Sequence, residues 1–202
     1  MVLAGLMIEE KELSNLKELG VKDSKQLSPK QRELIYSKIM KEFKLSKIVK
    51  SSPEEIDLVL NTPGTNLNWL EAEKIALIIN TLKPDKVFVD CPSPNLKAFK
   101  EYLENLVKVK TEIICDHKAD SKYAVVSAAS ILAKVTRDAE IEKIKKELRV
   151  DFGSGYPADP ITKKFLKENW NKYPEIFRKS WSSYKEYSEG KASKKQKSLM
   201  DF

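Results

Sequence analysis

The feature that most constrains this chain is an alternation in its second half. Lys86-Val87-Phe88-Val89-Asp90 is a β-branched and aromatic run that stops at a carboxylate and a turn-forming Pro92-Ser93-Pro94. A helix-like stretch from Asn95 to about Leu106, a second apolar run over Val109–Cys115 and a long helix-like stretch from Asp120 or Ser121 follow it. Strand, helix, strand, helix implies parallel pairing with crossover helices. The fold class is therefore α/β. In the long helix Val125, Ala128, Leu132, Val135 and Ala139 recur at steps of three and four, which predicts one buried face.

The first half carries its own start signals. Met1–Ile8 is too short for an all-apolar helix and reads as a buried strand. Ser28-Pro29-Lys30-Gln31 combines a capping Ser, Pro at the first helical position and Gln three residues after the cap, and it opens a helix to about Phe43. Leu45–Val49 is a weaker strand. Ser52-Pro53-Glu54-Glu55 repeats the start signal, Thr62-Pro63-Gly64 is a turn, and Leu67, Leu70, Ile75, Ile78, Ile79 and Leu82 make the apolar stripe of a further helix. Near the end, Asp159-Pro160 opens one helix and Trp181–Tyr187 forms another. Residues 188–197 are small, polar and basic, and read as a flexible tail.

Of 202 residues, 41% are hydrophobic and 33% charged, which excludes a disordered chain, and no apolar run approaches the roughly 20 residues of a membrane span. The apolar start lacks a basic front end and a small-residue cleavage site, so it is not read as a signal peptide. Cys91 and Cys115 fit neither a disulfide framework nor zinc spacing and read as small core residues, which points to a reduced, cytoplasmic protein. The net charge is +7, and the residues from Pro160 onward hold 11 Lys/Arg against 5 Asp/Glu. That surface suits a polyanion, nucleic acid first; a lysine-rich surface of the heat-adapted kind is the alternative.

Asp90 ends a central-looking strand, where α/β sheets bind ligands, and Asp120 opens the helix after the next strand. Adjacent parallel strands bring both carboxylates to one sheet edge, and hard cations such as Mg²⁺ or Mn²⁺ take oxygen ligands of this kind. The plainer readings make Asp120 a helix cap and Asp90 the start of a turn.

Three blocks carry more. They are Asp23-Ser24-Lys25-Gln26-Leu27-Ser28-Pro29, the run from His117-Lys118-Ala119-Asp120 through Val126-Ser127-Ala128-Ala129-Ser130-Ile131-Leu132-Ala133-Lys134-Val135-Thr136-Arg137-Asp138, and Gly153-Ser154-Gly155-Tyr156-Pro157-Ala158-Asp159-Pro160. In this order the set resembles the archaeal ribonuclease HII family, from Met1 to about Tyr187. The resemblance implies a ribonuclease H-like mixed sheet flanked by helices, with a C-terminal helical extension. It divides the chain into an α/β domain over 1–150, a helical substrate-binding region over 151–187 and a basic tail over 188–202.

The implied activity is endonucleolytic cleavage of the RNA strand of RNA–DNA hybrids, including incision 5′ to a ribonucleotide embedded in a DNA duplex, with 3′-hydroxyl and 5′-phosphate ends. Family members use Mn²⁺ or Mg²⁺ held by four carboxylates, of which Asp90 and Asp120 match the third and fourth. One ion activates water and the other stabilises the leaving oxygen. Tyr156 matches the tyrosine that stacks on the sugar beside the ribonucleotide; loop packing is its plainer role. Ser24 and Lys25 match a segment near the substrate backbone, with a capped surface turn as the alternative. Lys134, Arg137, Arg178 and Lys179 are placed to meet phosphates. His117 lies near the site or simply faces solvent.

One departure stands out. The family begins with a strand ending in an Asp-Glu pair followed by Ala-Gly-Arg-Gly, which supplies the other two ligands and reads the ribose 2′-hydroxyl; here Met1 aligns just after that turn. The resemblance places that strand mid-sheet beside the one carrying Asp90, so its loss would leave two buried sheet edges unpaired. Glu9, Glu10 and Glu12 do not obviously substitute for the pair. The expectation is an internal start in a product a dozen or more residues longer; the alternative is a catalytically impaired hybrid-binding protein tethered to a sliding clamp.

The end, Gln196-Lys197-Ser198-Leu199-Met200-Asp201-Phe202, resembles the motif that docks on PCNA-type sliding clamps. Leu199 and Phe202 would fill an apolar pocket while Gln196 hydrogen-bonds nearby. The partners so implied are hybrid or ribonucleotide-containing duplexes and a clamp, with no membrane, for a monomeric protein.

Overall fold

The computed structural model describes residues 1–21 and 24–189, without the side chain of Lys25. In chain order the elements are β1 (Val2–Leu6), α1 (Leu13–Glu18), α2 (Pro29–Glu42), β2 (Ser46–Lys50), α3 (Pro53–Asn61), α4 (Leu67–Leu82), β3 (Lys86–Asp90), α5 (Leu96–Leu106), β4 (Glu112–Asp116), α6 (Ala119–Lys122), α7 (Ala124–Leu148), α8 (Pro160–Asn169) and α9 (Ser182–Ser188). They fall into two compact units: residues 1–50 with 66–137, and 51–65 with the described residues from 138 onward.

The first unit holds the strands. β3 and β4 pair in parallel from Lys86 opposite Glu112 to Asp90 opposite Asp116, and α5 is the crossover between them. β1 and β2 pair antiparallel, from Val2 opposite Lys50 to Leu6 opposite Ser46. Parallel pairing thus joins β3 and β4 as the α/β reading expects, while the mixed sheet implied by the resemblance appears among the described residues as two separate two-stranded sheets. The start signal of α2 forms as read: the Gln31 amide donates to the Ser28 hydroxyl at 3.3 Å, and the Ser28 amide donates to the Gln31 side chain at 2.8 Å. Phe99 and Leu103 of α5 pack with Ala72, Ile79, Val89 and Ile113 into one core; both cysteines lie in it. A second core joins Leu6, Leu16, Ile35 and Ile39 to Ala128, Ile131 and Leu132 of α7.

No third strand joins either pair among the described residues. Between them lies a cleft of about 1100 Å³. Its walls include every residue from Val2 to Ile8 and every residue from Pro84 to Asp90. A strand turns alternate side chains to opposite faces, so consecutive lining residues mean that the cleft runs along strand edges, where backbone N–H and C=O groups point. Ile75, Ile78 and Ile79 of α4 close one side, and Val125, Val126 and Ala129 of α7 also line it. The opening thus has the surroundings of an interior strand position: an edge on either side and apolar helix surface around it.

Two local expectations change. The helix foreseen from Asp120 is broken: Tyr123 adopts φ −120° and ψ 119°, which separates the short α6 from α7. Along α7 the buried stripe ends early. Ala128 and Leu132 are buried and Val125 and Val135 pack against the core, but Ala139 is exposed, because the helix has by then passed from the first unit into the second.

The second unit has a smaller, aromatic core. Leu166, Phe177 and Tyr184 are buried, with Phe165, Trp170 and Tyr173 against them. Phe165 stacks on Tyr173 at 5.7 Å between ring centroids, and Trp170 meets Tyr184 edge-on at 6.1 Å. Among the described residues no helix is long and apolar enough to cross a membrane.

The close seating of α4 on β1 yields a test. A side chain at Gly5 would collide with Ile78 Cγ2. Gly5→Val is expected to lower the unfolding free energy in urea by about 1–3 kcal/mol, the usual cost of overpacking. An unchanged midpoint would mean that α4 does not press on β1 there.

Candidate active site

The C-terminal ends of β3 and β4 set the Asp90 carboxylate against the residue that precedes Asp120. Asp90 Oδ1 accepts a hydrogen bond from the Ala119 amide at 2.9 Å, and Asp120 is the next residue along. Asp120 is buried, with 6% exposure, whereas Asp90 is exposed at the strand end. The intervening turn is unusual. Lys118 takes the left-handed conformation, φ 55° and ψ 40°, which for a residue with a side chain costs on the order of 1 kcal/mol and persists only where the surroundings impose it.

Those surroundings are visible. Asp116 sits opposite Asp90 in the strand register. Its Oδ2 accepts from the Tyr123 hydroxyl at 2.7 Å and its Oδ1 from the Lys122 ammonium at 2.9 Å. The Lys122 and Tyr123 hydrogen bonds hold the Asp116 carboxyl below its usual range. Tyr123 also stacks on Phe88 of β3 at 4.3 Å. Asp116 therefore ties the start of the segment that carries Asp120 to its end at Lys122 and Tyr123. The break between α6 and α7 has the same origin: the extended backbone at Tyr123 goes with the ring's place on Phe88 and its bond to Asp116.

Two carboxylates on one edge form a hard-cation donor set. Mg²⁺ is commonly bound by one or two carboxylates together with substrate phosphate and water, so Asp90 and Asp120 fit a single such ion shared with a phosphodiester. No group of three or more His, Cys, Asp or Glu suited to a metal occurs among the described residues. Burial pushes the Cys115 thiol up to about 11 and the Cys91 thiol in the same direction. His117 is exposed, with Nδ1 3.4 Å from the Cys91 carbonyl oxygen.

The other expected residues divide between the units. Ser24 lies in a single 3₁₀ turn in the first unit, 5% exposed, and Arg32 donates to its carbonyl at 3.2 Å and to that of Leu27 at 2.8 Å. Lys25 belongs to the same turn. Lys134 and Arg137 lie half-exposed on α7. Gln196, Leu199 and Phe202 fall outside the described residues, as does Asp23.

Tyr156, Arg178 and Lys179 belong to the second unit. Tyr156 is 42% exposed at the tip of a loop that Asp159 organises. Asp159 Oδ2 accepts from the Ser154 amide at 2.6 Å and its hydroxyl at 2.7 Å, while Oδ1 accepts from the Ile161 amide at 2.9 Å and caps α8. Gly153 and Gly155 have φ of +74° and +72°, a region that side chains avoid, and a Cβ at Gly153 would meet Asp159. Thr162 completes the loop by accepting from the Gly155 amide at 3.0 Å and donating to the Phe152 carbonyl at 2.8 Å. Arg178 and Lys179 precede α9, where the Arg178 guanidinium lies 5.1 Å from the centre of the Trp181 ring.

A parallel strand pair with a helical crossover, an antiparallel pair and flanking helices define an α/β protein of ribonuclease H-like fold. Comparison with known proteins agrees. The family model described as Ribonuclease HII matches residues 1–184. Ribonuclease HII of Pyrococcus furiosus is 46% identical over 206 aligned residues that cover 100% of this chain and 90% of that protein. The crystal structure of ribonuclease H2 from Pyrococcus horikoshii OT3 superposes with a TM-score of 0.81 at 39% identity, covering 94% of this chain and 98% of that one. An Archaeoglobus fulgidus structure, described as a PCNA:RNase HII complex, gives 0.80 at 38% identity over 90% of this chain and 87% of that one. The chain belongs to the ribonuclease HII family, the type 2 ribonucleases H.

The Asp159 clamp has a pH signature. Its bonds from the Ser154 amide, then the Ser154 hydroxyl and the neighbouring amides, pull its carboxyl down to about 2. A depressed carboxyl stabilises the loop above its ordinary value of 3.8 and loses that contribution as pH falls towards about 2. Exchange protection of the Ser154 and Ile161 amides should therefore decline over that interval and be absent throughout in Asp159→Ala. Protection independent of pH, or retained in the variant, would contradict the clamp.

Proposed function

We propose that this chain binds RNA–DNA hybrids and DNA duplexes containing ribonucleotides, and hydrolyses the RNA strand at the Asp90–Asp120 edge. It incises 5′ to an embedded ribonucleotide and leaves 3′-hydroxyl and 5′-phosphate ends. The observation that carries the reading is the bond from the Ala119 amide to Asp90, which sets an exposed carboxylate beside the buried Asp120. Asp90 and Asp120 would hold Mn²⁺ or Mg²⁺. Such a cation, when bound, supplies charge neutralisation at the phosphodiester and lowers the cost of generating a hydroxide nucleophile.

The chain's own groups do the rest. Asp116, through Tyr123 and Lys122, fixes the turn that carries Asp120, so that no reorganisation is needed when substrate arrives. Lys134 and Arg137 on α7, and Arg178 and Lys179 before α9, are cations for substrate phosphates. Tyr156, exposed on a loop stiffened by Asp159, offers a flat face for the sugar next to the ribonucleotide. Ser24 and Lys25 form a turn beside the substrate backbone. Clamp docking through Gln196, Leu199 and Phe202 is supported by the motif and by the described complex of the Archaeoglobus fulgidus relative with PCNA.

A second reading, a hybrid-binding protein that does not cleave, is favoured by one observation. No third metal donor joins Asp90 and Asp120 among the described residues.

Incubation of the chain with an end-labelled hybrid, and with a duplex holding one ribonucleotide, in Mn²⁺ or Mg²⁺ separates the two. Cleavage that Asp90→Asn and Asp120→Asn each reduce by orders of magnitude, with hybrid binding spared, supports the nuclease. Comparable turnover in those variants removes the assigned site. Tight binding without cleavage in either cation supports the second reading. With a purified sliding clamp added, a chain ending at residue 195 should lose clamp binding in a pull-down while retaining its behaviour on short duplexes; retained clamp binding would count against the tail motif.

A further inference from the structure

Asp57 has no part in the account so far. It lies on α3, the helix opened by Ser52-Pro53, and is only 9% exposed. Its carboxylate reaches a segment 122 residues away in the chain: Oδ2 accepts from the Lys179 amide at 2.7 Å, and Oδ1 accepts from the Ser180 amide at 3.0 Å. Both partners lie in the same compact unit as Asp57. The geometry is specific to a carboxylate. Two successive amides each need an acceptor, and an Asp offers two; an Asn offers one, and its NH₂ would face the second amide donor-to-donor. Burial alone would raise the Asp57 carboxyl, yet the bonds from Ser180 and Lys179 and the charge of Arg178 leave it below its ordinary value.

The segment so held is Arg178-Lys179-Ser180-Trp181. The Trp181 amide donates back to the Arg178 carbonyl at 3.1 Å and closes a turn. Arg178 lies against the Trp181 ring, and the Lys179 side chain is exposed. Once two adjacent amides are pinned to one carboxylate, the Cα–Cβ directions of Arg178 and Lys179 are set before any ligand arrives. A lysine and an arginine on a loose loop would lose more freedom on meeting a phosphate, so the pinning turns two cations into an ordered phosphate-binding pair.

We propose that Asp57 is a positioning residue for nucleic-acid binding, which pins the Arg178–Trp181 turn so that Arg178 and Lys179 engage substrate phosphates together. The proposal rests on the hybrid-binding part of the function proposed above and adds a residue to it. A merely structural staple would affect folding and leave phosphate recognition unchanged. Phosphate recognition has its own readout, because each phosphate contact contributes about one unit to the slope of log K against log salt.

The test uses the whole 202-residue chain and a fluorescent RNA–DNA hybrid, with anisotropy titrations at several salt concentrations and no divalent cation added. Asp57→Asn is expected to weaken binding about tenfold and to flatten the salt slope by about one to two units, the loss of one or two phosphate contacts. Arg178→Gln with Lys179→Gln should flatten it similarly in the wild-type background and add little in the Asp57→Asn background. A slope unchanged in a folded Asp57→Asn chain, or effects that add in full, would overturn the proposal. Lys179→Gln lies at an exposed position and covers the case in which Asp57→Asn folds poorly. If neither Lys179→Gln nor Arg178→Gln alters the slope, there are no phosphate-binding cations for Asp57 to position, and the proposal falls. If the wild-type chain itself shows no salt-dependent binding to the hybrid, the function reading fails and takes the proposal with it. That outcome is distinct from a wild type that binds while Asp57 proves indifferent.

Discussion

A single hydrogen bond, from the Ala119 amide to the Asp90 carboxylate, links the end of β3 to the turn that carries Asp120. The bond requires the turn after β4 to bend back over the end of β3, and the left-handed Lys118 lies in that bend. The strain is small, on the order of 1 kcal/mol, and is offset by Asp116, which binds Tyr123 and Lys122 on the far side of the turn. The parallel pairing of β3 with β4 underlies both features. It sets Asp90 and Asp116 side by side, the first accepting from the Ala119 amide and the second from Tyr123 and Lys122.

The same corner of the molecule borders a cleft. The cleft between β1 and β3 extends to Asp90, and both strands present an edge to it.

Much of this was legible in the residues, for reasons that can be named. The capping box at Ser28–Gln31, the Pro-led start at Ser52 and the cap at Asp159 are local devices, and all three form. The strand at 86–90 is bounded by its own turn residues, and the proximity of Asp90 to Asp120 follows from parallel topology. What was not legible depends on distant partners. The helical period runs straight through Tyr123, so the break there cannot be seen without Asp116 and Phe88. Ala139 continues an apolar stripe, but the core that the stripe serves ends before it. Asp57 sits in no motif at all, and its role appears only when residues 179 and 180 are found on its carboxylate.

The proposed function requires Asp90 and Asp120 to grip a divalent cation together. Electron paramagnetic resonance of Mn²⁺ titrated into the protein measures this without reference to turnover. Saturable Mn²⁺ binding that is abolished alike by Asp90→Ala and by Asp120→Ala, and preserved in Asp116→Asn, is the expected result. Binding that survives either alanine substitution undiminished would contradict it.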